Sequence, residues 1–426
     1  MEAKLKIGVV GLGKLGFPCA VAMEQVGGHE VRGFDINPSV SKILETRNAP
    51  YIEKHFPEFL AKTNLVLADS IEALVSWAEV IFVAVQTPHE ELYEGATPVP
   101  ATKVDFDYSI LQCAVSQIAH GLEINPEANP LIVVISTVLP GTMREKVIPL
   151  LASRRTQVRF CYNPYFIAMG TTIPDFLNPE FVLVGTLRKE DGKLLENLYG
   201  TIHNSPVRQM QIESAELTKV AYNTFIGFKI VFANTISEIT SVRGGDVDEV
   251  TDALTLATTR LMSGKYLRAG MADGGGCHPR DQIAMSWLAD DANLSTDLFG
   301  YLARARDSQT ERQADLIIAE QKKYNLPITL LGWAYKPDTS LAIGSPARLL
   351  GSFLGQKGID FKVFDPFVFP ESSLGHEPNI YFVSTNHKIF NNLNLPKGSR
   401  VIDPWGMKDN WGEGVYVLSP GRNKIK

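Results

Sequence analysis

One cysteine stands in a setting that suits a reactive thiol. The stretch GGGCHPRD, residues 274–281, places Cys277 after three glycines and two residues before Pro279. Because proline is favoured in the first turn of a helix, the stretch predicts a helix that starts just after the cysteine. Unpaired N–H groups and the helix dipole stabilise a thiolate at such a position. Asp281 would lie in the first turn, as a base or as a holder of water or a substrate hydroxyl. A buried, unreactive cysteine is the alternative.

A lysine and an asparagine one helical turn apart are the second candidate for chemistry. The segment from Ser214 to Val242 has no proline and a single glycine, which predicts one long helix that is apolar on most sides. Lys219 and Asn223 are related as i and i+4 and therefore share a face of that helix. Their donors suit the stabilisation of an oxyanion. A lysine that reaches past the apolar surface to solvent is the alternative.

The stretch IGVVGLGKLGFP has the glycine spacing of a dinucleotide-binding turn. Gly11, Gly13 and Gly16 follow a predicted strand and precede a predicted helix, and the next strand ends about 20 residues later in Asp35. Such glycines let the backbone approach a pyrophosphate at the helix N-terminus. The Asp35 carboxylate would bind the ribose hydroxyls and repel a 2′-phosphate, which favours NAD over NADP. A glycine turn that binds no ligand is the alternative.

The composition is that of a globular protein with more than one core. The chain has 426 residues, 45% of them hydrophobic, and a formal net charge of −6, which disfavours nucleic-acid and anionic-membrane partners. Its four cysteines are widely scattered, so neither a metal site nor a disulfide framework is predicted, and a reducing, cytoplasmic location is expected. The N-terminal KLKIGVVGLG predicts a strand rather than a signal peptide.

The elements that must position these residues alternate between strand and helix at both ends of the chain. Short runs rich in Val and Ile, such as EVIFVAVQTP and PLIVVISTVLP, are separated by longer mixed segments, which predicts a parallel sheet with crossover helices. Helical segments extend from Ser214 to about Gln321, and strand-like runs then return at LPITLLGWAYKP, DFKVFDP, NIYFVST and SRVIDPWG. The sequence therefore predicts an α/β domain, a helical middle and a second α/β domain.

Several stretches in this order resemble the nucleotide-sugar 6-dehydrogenase family, the relatives of UDP-glucose dehydrogenase and GDP-mannose dehydrogenase. The resemblance covers nearly the whole chain. It is carried by GLGKLG, VQTP, STVLPGT, NPYFIAMGTTIPDFLNPEFVLVG, ELTKVAYNTF, GGGCHPRD, LGWAYKPDT and FDP.

The resemblance implies two Rossmann-like doubly wound domains joined by a long central helix and a helical dimerisation region. The expected domains are an NAD-binding domain at 1–205, a dimerisation domain at 206–321 and a nucleotide-sugar domain at 322–426. The implied reaction is a four-electron oxidation of a sugar CH2OH group to a carboxylate with two NAD⁺. The expected partners are a nucleotide sugar and a second copy of the chain, whose substrate phosphates Arg260 would reach.

The resemblance also implies roles for single residues. Cys277 would trap the first-formed aldehyde as a thiohemiacetal, which is then oxidised to a thioester and hydrolysed. Lys219 and Asn223 would stabilise the oxyanion, while Asp281 and Thr137 would manage the proton and the water. The implied cofactor-binding residues are Gly11, Gly13, Lys14, Leu15, Gly16, Asp35, Thr87 and Thr137. The implied substrate-binding residues are Tyr165, Phe166, Lys219, Asn223, Arg260, Tyr266, Gly276 and Lys336. For Arg260 and Lys336, a solvated surface charge is the alternative.

The chain departs from the family pattern at the predicted site. Tyr165 and Met169 stand where the family usually has glutamates, the first of which is associated with activation of water at the thioester step. Tyrosine, with a pKa near ~10, is a poor base at neutral pH. Asp273 replaces a usual phenylalanine, and Ile343 and Gly344 replace a usual Arg-Glu pair.

These departures leave two further functions open. One is a two-electron oxidation of an unusual glycosyl substrate that stops at an aldehyde or a ketone. The other is a nucleotide-binding relative without catalysis, which the retention of Cys277, Lys219, Asn223 and Asp281 argues against.

Overall fold

The computed structural model describes residues 4–51, 53–88, 104–152, 158–168, 170–263, 269–272, 274 and 278–420. The chain divides into two compact units, Met1–Gly227 and Phe228–Lys426.

The first unit is built on an eight-stranded sheet with the order β3-β2-β1-β4-β5-β6-β7-β8. Neighbouring strands run parallel except for β6 and β7, which are antiparallel. The central strands β1, β4 and β5 are short apolar runs that are buried on both faces, as parallel strands covered by helices must be. The strands are β1 Lys6–Val10, β2 Glu30–Phe34, β3 Val66–Leu67, β4 Val80–Val83, β5 Leu131–Val134, β6 Phe160–Tyr162, β7 Val182–Thr186 and β8 Val207–Met210.

Helices cover both faces of this sheet and bury two apolar clusters against it. A π-helical turn, Met143–Val147, leads into the helix that follows β5. The helices are α1 Gly16–Gln25, α2 Ser39–Thr46, α3 Phe56–Lys62, α4 Ile71–Trp77, α5 Ser109–Ile124, α6 Ile148–Ala152, α7 Thr172–Leu177 and α8 Lys189–Gly200.

The predicted long helix is present as α9, Ile212–Arg243. Several of its apolar side chains are exposed in the single chain, among them Leu217, Phe225 and Ile226. In the described residues, the next helices along the chain belong to the second unit. They are α10 Val247–Thr255, α11 His278–Asp291 and α12 Leu298–Tyr324.

The second unit contains a five-stranded parallel sheet with the order β10-β9-β11-β12-β13. Helix α13, Pro346–Gln356, is capped at its N-terminus by Ser345, whose hydroxyl accepts the Ala347 N–H. This helix packs with α12 on the sheet. The strands are β9 Ile328–Leu331, β10 Lys362–Phe364, β11 Ile380–Val383, β12 Arg400–Ile402 and β13 Tyr416–Leu418. The predicted α/β fold with two parallel sheets and a long central helix is confirmed. Within the described part of the chain, no helix is both long and apolar enough to span a membrane.

Candidate active site

The glycine turn after β1 needs glycine at two positions because the backbone leaves no space for a side chain. Gly11 has φ +97°, and a Cβ there would lie 2.7 Å from the Ala84 carbonyl oxygen at the end of β4. Its N–H donates to the Phe34 carbonyl at 2.9 Å, which ties the turn to β2. A Cβ at Gly16 would lie 2.0 Å from the Gly11 carbonyl oxygen, so only glycine lets α1 start this close to the strand.

Gly13 has the opposite environment. It is exposed, and a Cβ built on it would have no atom within 4 Å. Lys14 is also exposed beside it, and Leu15, the residue before α1, is half-buried. The bare backbone therefore faces open space at the start of α1, where a pyrophosphate can approach unpaired N–H groups. The turn fits a dinucleotide.

Asp35 lies at the end of β2, directly beside this turn. Its Oδ2 accepts the Leu12 N–H at 2.7 Å and its Oδ1 accepts the Asn37 N–H at 2.7 Å. Since a carboxylate offers about four acceptor positions, two are left for ribose hydroxyls. The half-buried negative charge would oppose a 2′-phosphate, so the site favours NAD.

The carboxyl ends of β4 and β5 bring two predicted cofactor residues together. The Thr87 hydroxyl donates to the Thr137 carbonyl oxygen at 2.7 Å. A neighbouring bond, from the Ser136 hydroxyl to the Val85 carbonyl at 2.6 Å, ties the same two loops. Because β1, β4 and β5 are adjacent in the sheet, this pair lies at the edge that carries the glycine turn. Ligands bind at this edge of open α/β sheets.

Glu216 is a site-building residue to which the sequence analysis gave no role. Its side chain is fully buried in α9, and its carboxylate accepts the Gly141 N–H at 2.6 Å and the Met143 N–H at 2.7 Å. Burial raises the pKa of this carboxyl group, although the two N–H donors oppose that shift. Glu216 thus fixes α9 to the turn that follows Thr137. An acidic residue three positions before Lys219, on a helix that is apolar on most sides, was the available signal.

Lys219 is buried rather than extended to solvent. Its side chain is 8% exposed, its Nζ donates to the Tyr165 carbonyl oxygen at 2.7 Å, and it lies 5.0 Å from the centre of the Phe166 ring. Burial lowers the pKa of this ammonium group. The surface-lysine alternative is therefore wrong. Asn223, one turn further along α9, is exposed, so the structure leaves its amide open to a ligand.

The side chain of Tyr165 turns into the first unit. Its hydroxyl is hydrogen-bonded to the Tyr199 hydroxyl at 3.2 Å, and its ring packs on Phe176. Burial raises the Tyr165 pKa well above its ordinary value, so the phenol is neutral at physiological pH. Only the backbone carbonyl of Tyr165 is presented to Lys219. This phenol cannot act as a general base there.

The second unit contains the other predicted residues, and part of this set lies outside the described residues. These are Cys277, Gly276, Tyr266 and Asp273, and Met169 of the first unit also lies outside the described residues. The predicted helix start is confirmed, since α11 begins at His278. Asp281 lies in the first turn of α11, and both Arg260 and Lys336 are exposed.

The remaining cysteines offer no comparable chemistry. Cys19 is fully enclosed, and burial raises its pKa well above the ordinary value. Burial also raises the pKa of the Cys161 thiol to about 12. Neither thiol ionises at neutral pH, and Cys113 lies on the outer surface of α5.

Two family models match the chain. The model of the UDP-glucose/GDP-mannose dehydrogenase family, NAD binding domain, matches residues 5–203. The model of the central domain of the same family matches residues 213–307.

Individual relatives agree with these matches. GDP-mannose 6-dehydrogenase of Pseudomonas aeruginosa is 29% identical over 370 residues, which cover 85% of this chain and 81% of the relative. UDP-glucose 6-dehydrogenase TuaD of Bacillus subtilis is 27% identical over 387 residues, covering 88% and 79% of the two chains. The crystal structure of a ternary complex of GDP-mannose dehydrogenase from Pseudomonas aeruginosa superposes with a TM-score of 0.84 at 25% identity, covering 96% of this chain and 99% of that one.

Proposed function

The chain belongs to the UDP-glucose/GDP-mannose dehydrogenase family of NAD-dependent oxidoreductases, and from that premise we propose that it oxidises C6 of a nucleotide sugar. The substrate CH2OH group, two NAD⁺ and one water would give a carboxylate, two NADH and three protons. What supports this proposal most is the match of the family's central domain to residues 213–307, because that segment contains Lys219, Asn223, Cys277 and Asp281.

The proposed chemistry assigns a covalent role to Cys277. Its thiolate would attack the aldehyde carbonyl to give a thiohemiacetal, and loss of a hydride from that adduct would give a thioester. Bound NAD⁺ would supply the hydride acceptor for both oxidations. Water would then cleave the thioester, which frees the carboxylate and restores the thiol, with Thr137 and Asp281 placing the water and taking its proton.

Lys219 suits the oxyanion role because its charge is already desolvated. An ammonium group has three donors, and the Tyr165 carbonyl uses one of them. The other two, with the exposed Asn223 amide, would bind the alkoxide that develops at the sugar carbon. Donors held in place in a poorly hydrated site stabilise such charge more strongly than water does.

A two-electron oxidation is the second candidate, and the orientation of Tyr165 favours it. Where the family usually has a glutamate for the thioester step, this chain has a neutral phenol bound to Tyr199. If no other base replaces that glutamate, the reaction would stop at the carbonyl compound.

The assembly proposed with this function rests on the resemblance. We propose a cytoplasmic homodimer in which Arg260 reaches the neighbouring copy's substrate phosphates, and three domains at 1–205, 206–321 and 322–426. Light scattering of the purified chain should give twice the mass of one chain, and Arg260→Ala should raise the KM for the nucleotide sugar without dissociating the dimer.

The function is tested by turnover on a panel of nucleotide sugars. Wild type with NAD⁺ should form NADH with at least one of GDP-mannose, UDP-glucose and their N-acetyl or dTDP counterparts, with the product identified by mass spectrometry. Cys277→Ala should abolish carboxylate formation, whereas Cys113→Ala, a change at an exposed cysteine, should not. Full carboxylate formation by Cys277→Ala would refute the covalent mechanism.

A further inference from the structure

The turn after β9 repeats the backbone-to-carboxylate arrangement of the turn after β1. Gly332 has φ +98°, and its N–H donates to the Phe364 carbonyl at 2.9 Å. The next N–H, of Trp333, donates to Asp365 Oδ2 at 2.6 Å. Asp365 therefore holds the position in the second sheet that Asp35 holds in the first.

Asp365 differs from Asp35 because its acceptor positions are filled. The side chain is fully buried. Besides the Trp333 bond, Oδ2 accepts the Ala334 N–H at 2.9 Å and lies 3.1 Å from His387 Nε2, while Oδ1 accepts the N–H groups of Phe367 and Val368 at 2.9 and 3.2 Å. These bonds exhaust the acceptor capacity of one carboxylate. Asp365 is therefore a structural group and is not available to a ribose.

His387 is the side chain that distinguishes the two turns. It is fully buried, and its Nδ1 accepts the Asp338 N–H at 2.9 Å. Because a backbone N–H can only donate, the ring proton is on Nε2 and is directed at Asp365. One imidazole thus joins the end of β10 to the loop that follows β9. The Phe367 ring stacks on the imidazole, with 4.7 Å between the ring centres.

The loop that His387 holds contains Lys336. On one side of the lysine, the Ala334 carbonyl accepts the Thr385 hydroxyl at 2.6 Å. On the other side, Asp338 has φ +58°, a conformation that costs energy for a residue with a side chain, and its N–H is bound by His387. The backbone is therefore fixed on both sides of Lys336, while the Lys336 side chain is exposed.

We propose that His387 is a positioning residue that sets the location of the Lys336 ammonium group through the Asp338 N–H. This role rests on the proposed function and on the substrate-binding role that the resemblance implies for Lys336. His387 itself is fully buried and would act through the loop, without touching the substrate. Loss of its Nδ1 acceptor should free the loop and weaken substrate binding.

Two substitutions separate the two bonds of the imidazole. In His387→Asn, the amide oxygen can take the place of Nδ1 and keep the Asp338 bond. In His387→Gln, the longer amide can take the place of Nε2 and keep the Asp365 bond while losing the Asp338 acceptor. His376→Gln is the matched control, because His376 is an exposed histidine in the same unit.

Hydrogen–deuterium exchange of the free protein tests how His387 holds the loop. Because no substrate is needed, this test is valid even if the proposed function is wrong. The Asp338 amide should exchange about tenfold faster in His387→Gln, as expected for the loss of one partly buried hydrogen bond, and close to the wild-type rate in His387→Asn and His376→Gln. Unchanged exchange in His387→Gln would overturn the proposal.

Steady-state kinetics test the link to Lys336. His387→Gln should raise the KM for the nucleotide sugar about tenfold with a smaller change in kcat, and His387→Asn should restore it. Adding His387→Gln to Lys336→Ala should change KM little further, since both remove the same contact. If the two substitutions raise KM independently in the double variant, the proposed link between His387 and Lys336 is overturned. If His387→Gln does not fold, Thr385→Val, which removes another anchor of the loop, should show the same lack of additivity with Lys336→Ala.

Discussion

Replacing Gly13 by alanine should weaken NAD⁺ binding without harming the fold. The residue is exposed, has no atom within 4 Å of an added Cβ, and is not among the glycines with positive φ. Alanine is therefore free of strain at this position. It should leave the free energy of unfolding unchanged or raise it by up to about 1 kcal/mol, since it restricts the unfolded chain.

The expected loss of NAD⁺ affinity follows from the open space beside Gly13. A phosphate oxygen bound to backbone N–H groups at the start of α1 would lie where the new methyl group projects. Displacing it would break at least one charge-assisted hydrogen bond, worth about 1.5–3 kcal/mol. At about 1.4 kcal/mol per factor of ten, the Kd for NAD⁺ should rise roughly tenfold to a hundredfold.

Calorimetric titration with NAD⁺ and thermal unfolding measure the two quantities separately. Gly200→Ala is the matched control, because Gly200 is an exposed glycine of the same unit with no atom within 4 Å of an added Cβ. Gly16→Ala should instead lower the melting temperature, since its Cβ would overlap the Gly11 carbonyl. Wild-type NAD⁺ affinity in Gly13→Ala would refute the assignment of this turn as the pyrophosphate site.

Three further changes test other parts of the site. Lys219→Met should lower kcat about 10²- to 10³-fold with little effect on the Kd for NAD⁺, and wild-type turnover would contradict the oxyanion role. Glu216→Gln should lower the free energy of unfolding by about 1–3 kcal/mol in urea, because an amide has one acceptor oxygen for two buried N–H donors. A variant as stable as wild type would contradict the hydrogen bonds from Gly141 and Met143 to Glu216. Burial opposes ionisation of Asp365, but bonds from His387 and the backbone outweigh it and hold its pKa well below the ordinary value. The ionised Asp365 carboxylate therefore adds to the free energy of unfolding above about pH 4, and this contribution is lost as the pH falls. The difference in free energy of unfolding between wild type and Asp365→Asn should therefore narrow below about pH 4. A difference that stays constant with pH would contradict this.

The elements of the fold were predictable where the local pattern was strong. The glycine spacing before α1 and the aspartate that ends β2 follow from backbone requirements, and no distant contact is needed to recognise them. The 32-residue helix α9 follows from a long stretch without proline. In contrast, β3 is two residues long, and β8, with the sequence VRQM, is a polar edge strand. Such strands form because a neighbour offers hydrogen bonds, which a short sequence window does not record.

The site was less predictable because side-chain direction depends on packing. The spacing of Lys219 and Asn223 gave a shared helix face, but it could not show that Lys219 is buried against Phe166. Tyr165 was expected at the substrate, and its identity alone could not show that the ring turns towards Tyr199. The buried acceptors at Glu216 and Asp365 were missed for the same reason, since donors to both carboxylates include backbone N–H groups that are distant in sequence.

The number of NADH molecules formed per nucleotide sugar consumed tests the central claim most directly. With limiting substrate and excess NAD⁺, wild type should form two NADH and one sugar acid, counted by absorbance and mass spectrometry. One NADH with an aldehyde or ketone product would contradict the four-electron reaction and assign the two-electron oxidation. No NADH with any nucleotide sugar of the panel would contradict the proposed function as a whole.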